Sequence, residues 1–85
     1  MSQNEKILCY LLSGKSLTSL GALERFGCMR LASRINDLRN DGYDIKSEKV
    51  ENVITKKRYA EYFFMPEELE NARRRSENER IGLLL

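Results

Sequence analysis

Apolar residues recur along the chain first at helical and then at strand-like spacing, and glycines fall where the spacing breaks. Ile7, Leu8, Leu11 and Leu12 predict a first helix from residue 2 or 3 to residue 13, with Gly14 placed as a left-handed terminator. After the connector 15–17, Thr18 is suited to cap a second helix reaching Phe26. Leu20, Leu23 and Phe26 lie on one of its sides and Gly27 ends it. A third helix is expected over 28–41, where Leu31, Ile35 and Leu38 follow the i, i+4, i+7 rule and Gly42 closes the run. Only a tight turn around Gly27 separates the second helix from the third.

Beyond Gly42 the period changes. Residues 43–50 interleave charges with Ile45 and Val50, and 58–64 are rich in aromatics, so both predict strands. The segment between them is polar and cationic apart from Val53 and Ile54, which makes a β-hairpin the economical reading. Its register stays open, because a slip of one residue exchanges Tyr62 for Phe63 on the core side. Pro66 fits the first turn of a final helix, with Glu67, Glu68 and Glu70 near its positive end. The expected fold is α+β, mainly α: residues 1–64 form three helices and a hairpin, the layout of a winged helix-turn-helix, and 65–85 add a C-terminal helix. Leu69 and the apolar tip Ile81, Leu83, Leu84 and Leu85 are candidate oligomer contacts, against the alternative that the tip folds back on its own core.

Composition narrows the chemistry. The chain has 85 residues, 41% hydrophobic and 33% charged, enough for one small core. It contains no histidine, which removes the commonest general base and metal ligand, and no spacing sets a nucleophile beside a base. An enzyme is therefore not expected, and no cofactor or metal is. Cys9 and Cys28 form no CxxC pair and read as reduced thiols of a cytoplasmic protein. The apolar stretches 7–12 and 62–65 are far too short to cross a bilayer, so no membrane partner is expected.

The net charge is only +2, so the placement of charge matters more than its total. Residues 1–64 carry 11 Lys/Arg against 8 Asp/Glu, whereas 65–85 carry 4 against 5, so the basic part is the winged unit. With Leu31, Ile35 and Leu38 turned inward, Met29, Arg30, Ser33, Asp37 and Asn40 turn outward, and Ala32, Arg34 and Arg39 lie on the flanks. Arg30 and Arg34 could bond guanine edges, Ser33 several bases, and Met29 a thymine methyl, while Asp37 could orient an arginine or repel phosphate. These five are the candidate base contacts; the plainer alternative is a solvated surface helix. Lys56, Lys57 and Arg58 suit sequence-independent phosphate contact, and Thr18 and Ser19 at the second helix start could hold one more phosphate. The run Arg73, Arg74 and Arg75 reads as a solvated face satisfied by neighbouring glutamates.

The segments Gly27-Cys28-Met29-Arg30-Leu31-Ala32-Ser33-Arg34-Ile35, Asp37-Leu38-Arg39, Gly42 and Lys57-Arg58-Tyr59-Ala60 carry a resemblance to a known family. Over about 7–64 the chain resembles the small helix-turn-helix domains found largely in phage and prophage proteins. The resemblance implies a winged fold, DNA binding and a viral or prophage regulatory setting in a bacterial host. The loop 51–56 is longer than the compact turn of that family, and the tail after Pro66 lies outside the match. Two functions follow. The first is a double-stranded DNA-binding transcription regulator, with helix 28–41 in the major groove, the 51–58 wing on the backbone, and a homodimer formed through the last helix. The second is a winged module that recognises a protein, favoured by the low net charge and by Asp37, Asp41 and Asp44.

Overall fold

Ser2 begins the first helix: its hydroxyl accepts from the Glu5 N–H at 3.2 Å, the bond by which a serine cap satisfies a free first-turn donor. The computed structural model describes residues 2–84, with side chains described for residues 2–77. Helix α1, Gln3–Leu12, buries Ile7, Leu8 and Leu11. Gly14 follows at φ 89°. Strand β1, Leu17–Thr18, comes next, where the sequence suggested only a connector and a cap. Helix α2, Ser19–Phe26, is capped by Thr18, whose Oγ1 accepts from Gly21 N–H at 3.1 Å, and ends at left-handed Gly27.

The expected apolar side of α2 is corrected. Leu20 is 65% and Leu23 46% exposed, and Ala22 is the residue buried beneath the helix. Small residues let the backbone approach closely: a Cβ on Gly21 would stand 3.3 Å from Thr18 Oγ1 and 3.4 Å from a Leu17 methyl. Phe26 alone of the three leans on the core, its ring 5.8 Å from that of Tyr10 in an edge-on pair.

Helix α3 is Leu31–Asn40, shorter than the expected 28–41. Arg30 has φ −126° and ψ 61°, outside the helical region, and makes no side-chain cap. Cys28, buried in the turn, anchors the chain before the helix begins. The far end is a Schellman motif around Gly42 at φ 101°: Tyr43 N–H donates to Leu38 O at 3.1 Å and Gly42 N–H to Arg39 O at 3.0 Å.

Strand β2, Lys46–Glu51, and strand β3, Arg58–Phe63, form the hairpin, and β1 pairs with the other edge of β3 to give the antiparallel order β1-β3-β2. The strand expected over 43–50 therefore starts later. Tyr43 and Ile45 are buried in the link from α3 instead. Register is Leu17 opposite Tyr62 and Ser47 opposite Tyr62 on the two sides of β3. Tyr62 thus leans on the core and Phe64, two residues on, is buried edge-on to Tyr43 at 6.4 Å, which resolves the Tyr62 or Phe63 ambiguity.

Helix α4, Pro66–Leu84, opens with Glu68 and Leu69 N–H donating to Met65 O. Its body-facing line is Leu69, Ala72 and Ser76. Leu69, expected at an oligomer contact, packs against the core of its own chain. Side chains of Ile81, Leu83, Leu84 and Leu85 lie outside the described residues. The arginine run is only partly the solvated face expected: Arg74 pairs with Glu70 at 2.8 Å, but its neighbours reach other helices. Arg73 Nε donates to Leu12 O at 2.9 Å, and Arg75 Nε and Nη2 donate to Asp41 O at 3.1 and 2.7 Å. Both arginines thereby meet the carbonyl-rich ends of α1 and α3, where a cation is favoured.

Candidate nucleic-acid interface

Helices α2 and α3 meet across the turn 27–30 and present the residues from which base contacts were expected. Met29 and Arg30 stand in that turn rather than on the helix, both exposed, Met29 at 85%. Arg30 makes no ion pair among the described residues. Ser33 is exposed on α3. Arg34 and Asp37 are half-buried and held: Arg34 Nη1 lies 3.5 Å from Asp37 Oδ2, and Asn4 Nδ2 of α1 donates to the same oxygen at 3.5 Å. Asp37 was expected to face outward and instead turns toward α1. Arg34 Nε is buried without a hydrogen-bond partner beside this pair.

The opposite flank of α3 is tied to the sheet. Arg39 Nε donates to Ile45 O at 2.9 Å and its guanidinium lies 6.0 Å from the Tyr62 ring centre. Between the two flanks the exposed crest of α3 is Ser33, Asn36 and Asn40. Asn36 was not singled out from sequence, although a step of 100° per residue from the buried stripe Leu31, Ile35 and Leu38 places it there. An asparagine amide can bond adenine at two atoms.

The second set of candidates converges. Thr18 and Ser19, at the start of α2, line one cleft of about 460 Å³ with Asn52, Lys57 and Arg58 from the hairpin and with Leu20 and Tyr59. The pairing of β1 with β3 is what brings the α2 start beside the hairpin, so a two-residue strand assembles the cleft. The uncapped N–H groups of the first turn of α2, the Ser19 hydroxyl and two cations are the donor set that phosphate oxygens take. Lys56 lies in the loop just outside the cleft, with a left-handed backbone at φ 56°.

The hairpin loop is ordered by its own bonds. Asn52 Oδ1 accepts from Ile54 and Thr55 N–H at 2.9 and 3.3 Å, Asn52 N–H donates to Lys57 O at 2.9 Å, and Lys56 N–H donates to Asn52 O at 2.7 Å.

An α1-β1-α2-α3-β2-β3 order with a projecting hairpin is the geometry of one motif, and a family model described as winged helix-turn-helix domain matches residues 2–67. The chain belongs to the winged helix-turn-helix domain family. No curated protein and no solved structure matches it. In the winged helix-turn-helix domain α2 and α3 are the helix-turn-helix and the β2–β3 hairpin around residues 51–58 is the wing, while most of α4 lies beyond the match. Among the described residues no cluster of His, Cys, Asp or Glu could hold a metal ion, and no helix is long and apolar enough to cross a membrane. Cys9 and Cys28 form no disulfide, and Cys28 is buried.

Proposed function

We propose that this winged helix-turn-helix protein binds double-stranded DNA as a transcription regulator of phage or prophage type in the bacterial cytoplasm. Helix α3 enters the major groove with Ser33 and Asn36 toward the bases, and Arg30 and Met29 extend that contact from the preceding turn. The wing residues Lys56, Lys57 and Arg58 and the α2 start at Thr18 and Ser19 grip the backbone. A second copy joins through the end of α4, since a single winged unit reads only a few base pairs.

The observation that carries this reading is the cleft where Thr18 and Ser19 meet Lys57 and Arg58. Two segments distant in sequence, each suited on its own to a phosphate, line one open cleft together with the apolar faces of Leu20 and Tyr59. The acidic side chains that weigh toward a protein partner are largely engaged: Asp37 with Arg34, and Asp44 with Lys46 at 3.2 Å. A polarisation titration of the full chain against a mixed-sequence duplex at two salt concentrations tests the reading. Binding that weakens steeply with salt, with a smaller slope for Lys57→Ala, is expected. No binding to any duplex at low salt would sink it.

A protein-binding module is the second reading, and the exposed Leu20 and Leu23 on α2 favour it. It expects a partner that is retained at high salt and lost on Leu20→Ser with Leu23→Ser.

A further inference from the structure

Val53 and Ile54 form the outer end of the wing at 88% and 92% exposed, the most exposed large apolar side chains among the described residues. Loops that merely turn a hairpin use polar residues, so two β-branched residues held in water need a reason. The loop is also fixed rather than loose. Asn52 bonds the Ile54 and Thr55 amides, and Lys56 is kept in a left-handed conformation that lysine avoids. A cationic base, Lys56, Lys57 and Arg58, follows directly.

We infer that the wing tip is a minor-groove wedge, with Ile54 pressing between base pairs and bending the duplex while Lys56 and Lys57 hold the phosphates on either side. This rests on the DNA reading above and adds to it a mode of contact. Two side chains on a narrow finger cannot supply the core of a protein interface, which needs on the order of 1,200 Å² or more. They are enough for a wedge, because a single inserted isoleucine unstacks one base step and bends the duplex by about 20–90°. The cations fit the same partner: phosphates line both lips of the groove the tip would enter. The cost of unstacking is lowest at pyrimidine–purine steps, so the wedge also gives the protein a preference for flexible sequence without a hydrogen bond to any base.

The test uses the full chain and a duplex of about 30 base pairs, rich in central TA steps and carrying a donor and an acceptor dye at its two ends. Polarisation reports binding, and energy transfer reports end-to-end distance. Wild-type protein is expected to bind and shorten the duplex. Ile54→Ser, with an unchanged circular-dichroism melt because the residue is exposed, is expected to bind about tenfold more weakly and to leave the duplex straight when saturated. A Lys57→Ala variant, by contrast, binds more weakly but still bends at saturation. Wild-type binding without shortening, or equal shortening by Ile54→Ser, overturns the wedge and leaves the DNA reading standing. If the tip instead joins two copies, sedimentation of Ile54→Ser shifts to monomer while the duplex stays straight with either protein, which also overturns it. Failure of the wild type to bind any duplex removes both readings together.

Discussion

Gly42 is fixed by a positive φ of 101°, and a Cβ added there would also stand 2.5 Å from Nη2 at the movable end of the Arg75 side chain. The same guanidinium bonds Asp41 O and sits 5.8 Å from the Tyr43 ring centre, so the Schellman end of α3 and the docking of α4 share one arginine. Gly42→Ala is expected to lower stability by about 2–3 kcal/mol in urea unfolding, part from backbone strain and part from displaced Arg75. In an Arg75→Ala background the second part is gone, so the two losses add to less than their sum. Lys56 is the opposite case, a lysine where asparagine would be easier at φ 56°. Lys56→Asn is expected to raise stability by about 0.5–1 kcal/mol while cutting the salt slope of duplex binding by about one. A variant no more stable than wild type would show that the left-handed backbone there costs nothing.

Elements were legible from sequence to the degree that their ends are marked by a residue with one physical use. Thr18 and Gly27 bracket α2, Gly42 closes α3, and Pro66 opens α4, and the structure places each as expected. The start of α3 was misplaced because no serine, threonine, aspartate or asparagine stands between Gly27 and Leu31 to announce it. Strand β1 was missed because two residues carry no period, and its pairing with β3 depends on contacts across the whole chain. The cleft followed that strand out of reach: Thr18, Ser19, Lys57 and Arg58 were each visible, their meeting was not. The arginine run of α4 was read as a solvated face, which hides that Arg73 and Arg75 cap α1 and α3, and Ala72 was not read as buried. The described part of α4 therefore braces the winged unit through Leu69, Ala72, Arg73 and Arg75. A chain ending at Met65 is expected to lose about 3 kcal/mol of unfolding free energy, from the lost burial of Leu69 and Ala72 and the three hydrogen bonds of Arg73 and Arg75. An unchanged urea midpoint for the shortened chain would show that α4 contributes only its far end.

For the molecule as a whole, the question is which arginines reach the duplex, since a net charge of +2 leaves little attraction to spare. Arg30 and Arg34 look equivalent in sequence and are not equivalent in the fold. Arg30 stands in the turn ahead of α3 with an exposed side chain, whereas Arg34 is turned to the α1 flank and lies 3.5 Å from Asp37. To touch a base, Arg34 must leave a partly exposed ion pair that is itself worth no more than about 1 kcal/mol. Arg30→Ala is expected to cost about 1–3 kcal/mol at a selected site and less on mixed-sequence duplex, the mark of a bidentate base contact. Arg34→Ala should cost less at the selected site, because part of its charge is already spent on Asp37. Asp37→Asn then discriminates further: it removes the competing carboxylate, releases Arg34, and is expected to tighten binding to every duplex while leaving the ranking of sequences as it was. Polarisation titrations of the three variants on both duplexes, at one fixed salt concentration, measure all of this. Equal losses for Arg30→Ala and Arg34→Ala, with Asp37→Asn without effect, would mean that the ion pair dissolves on binding and that α3 turns both arginines into the groove.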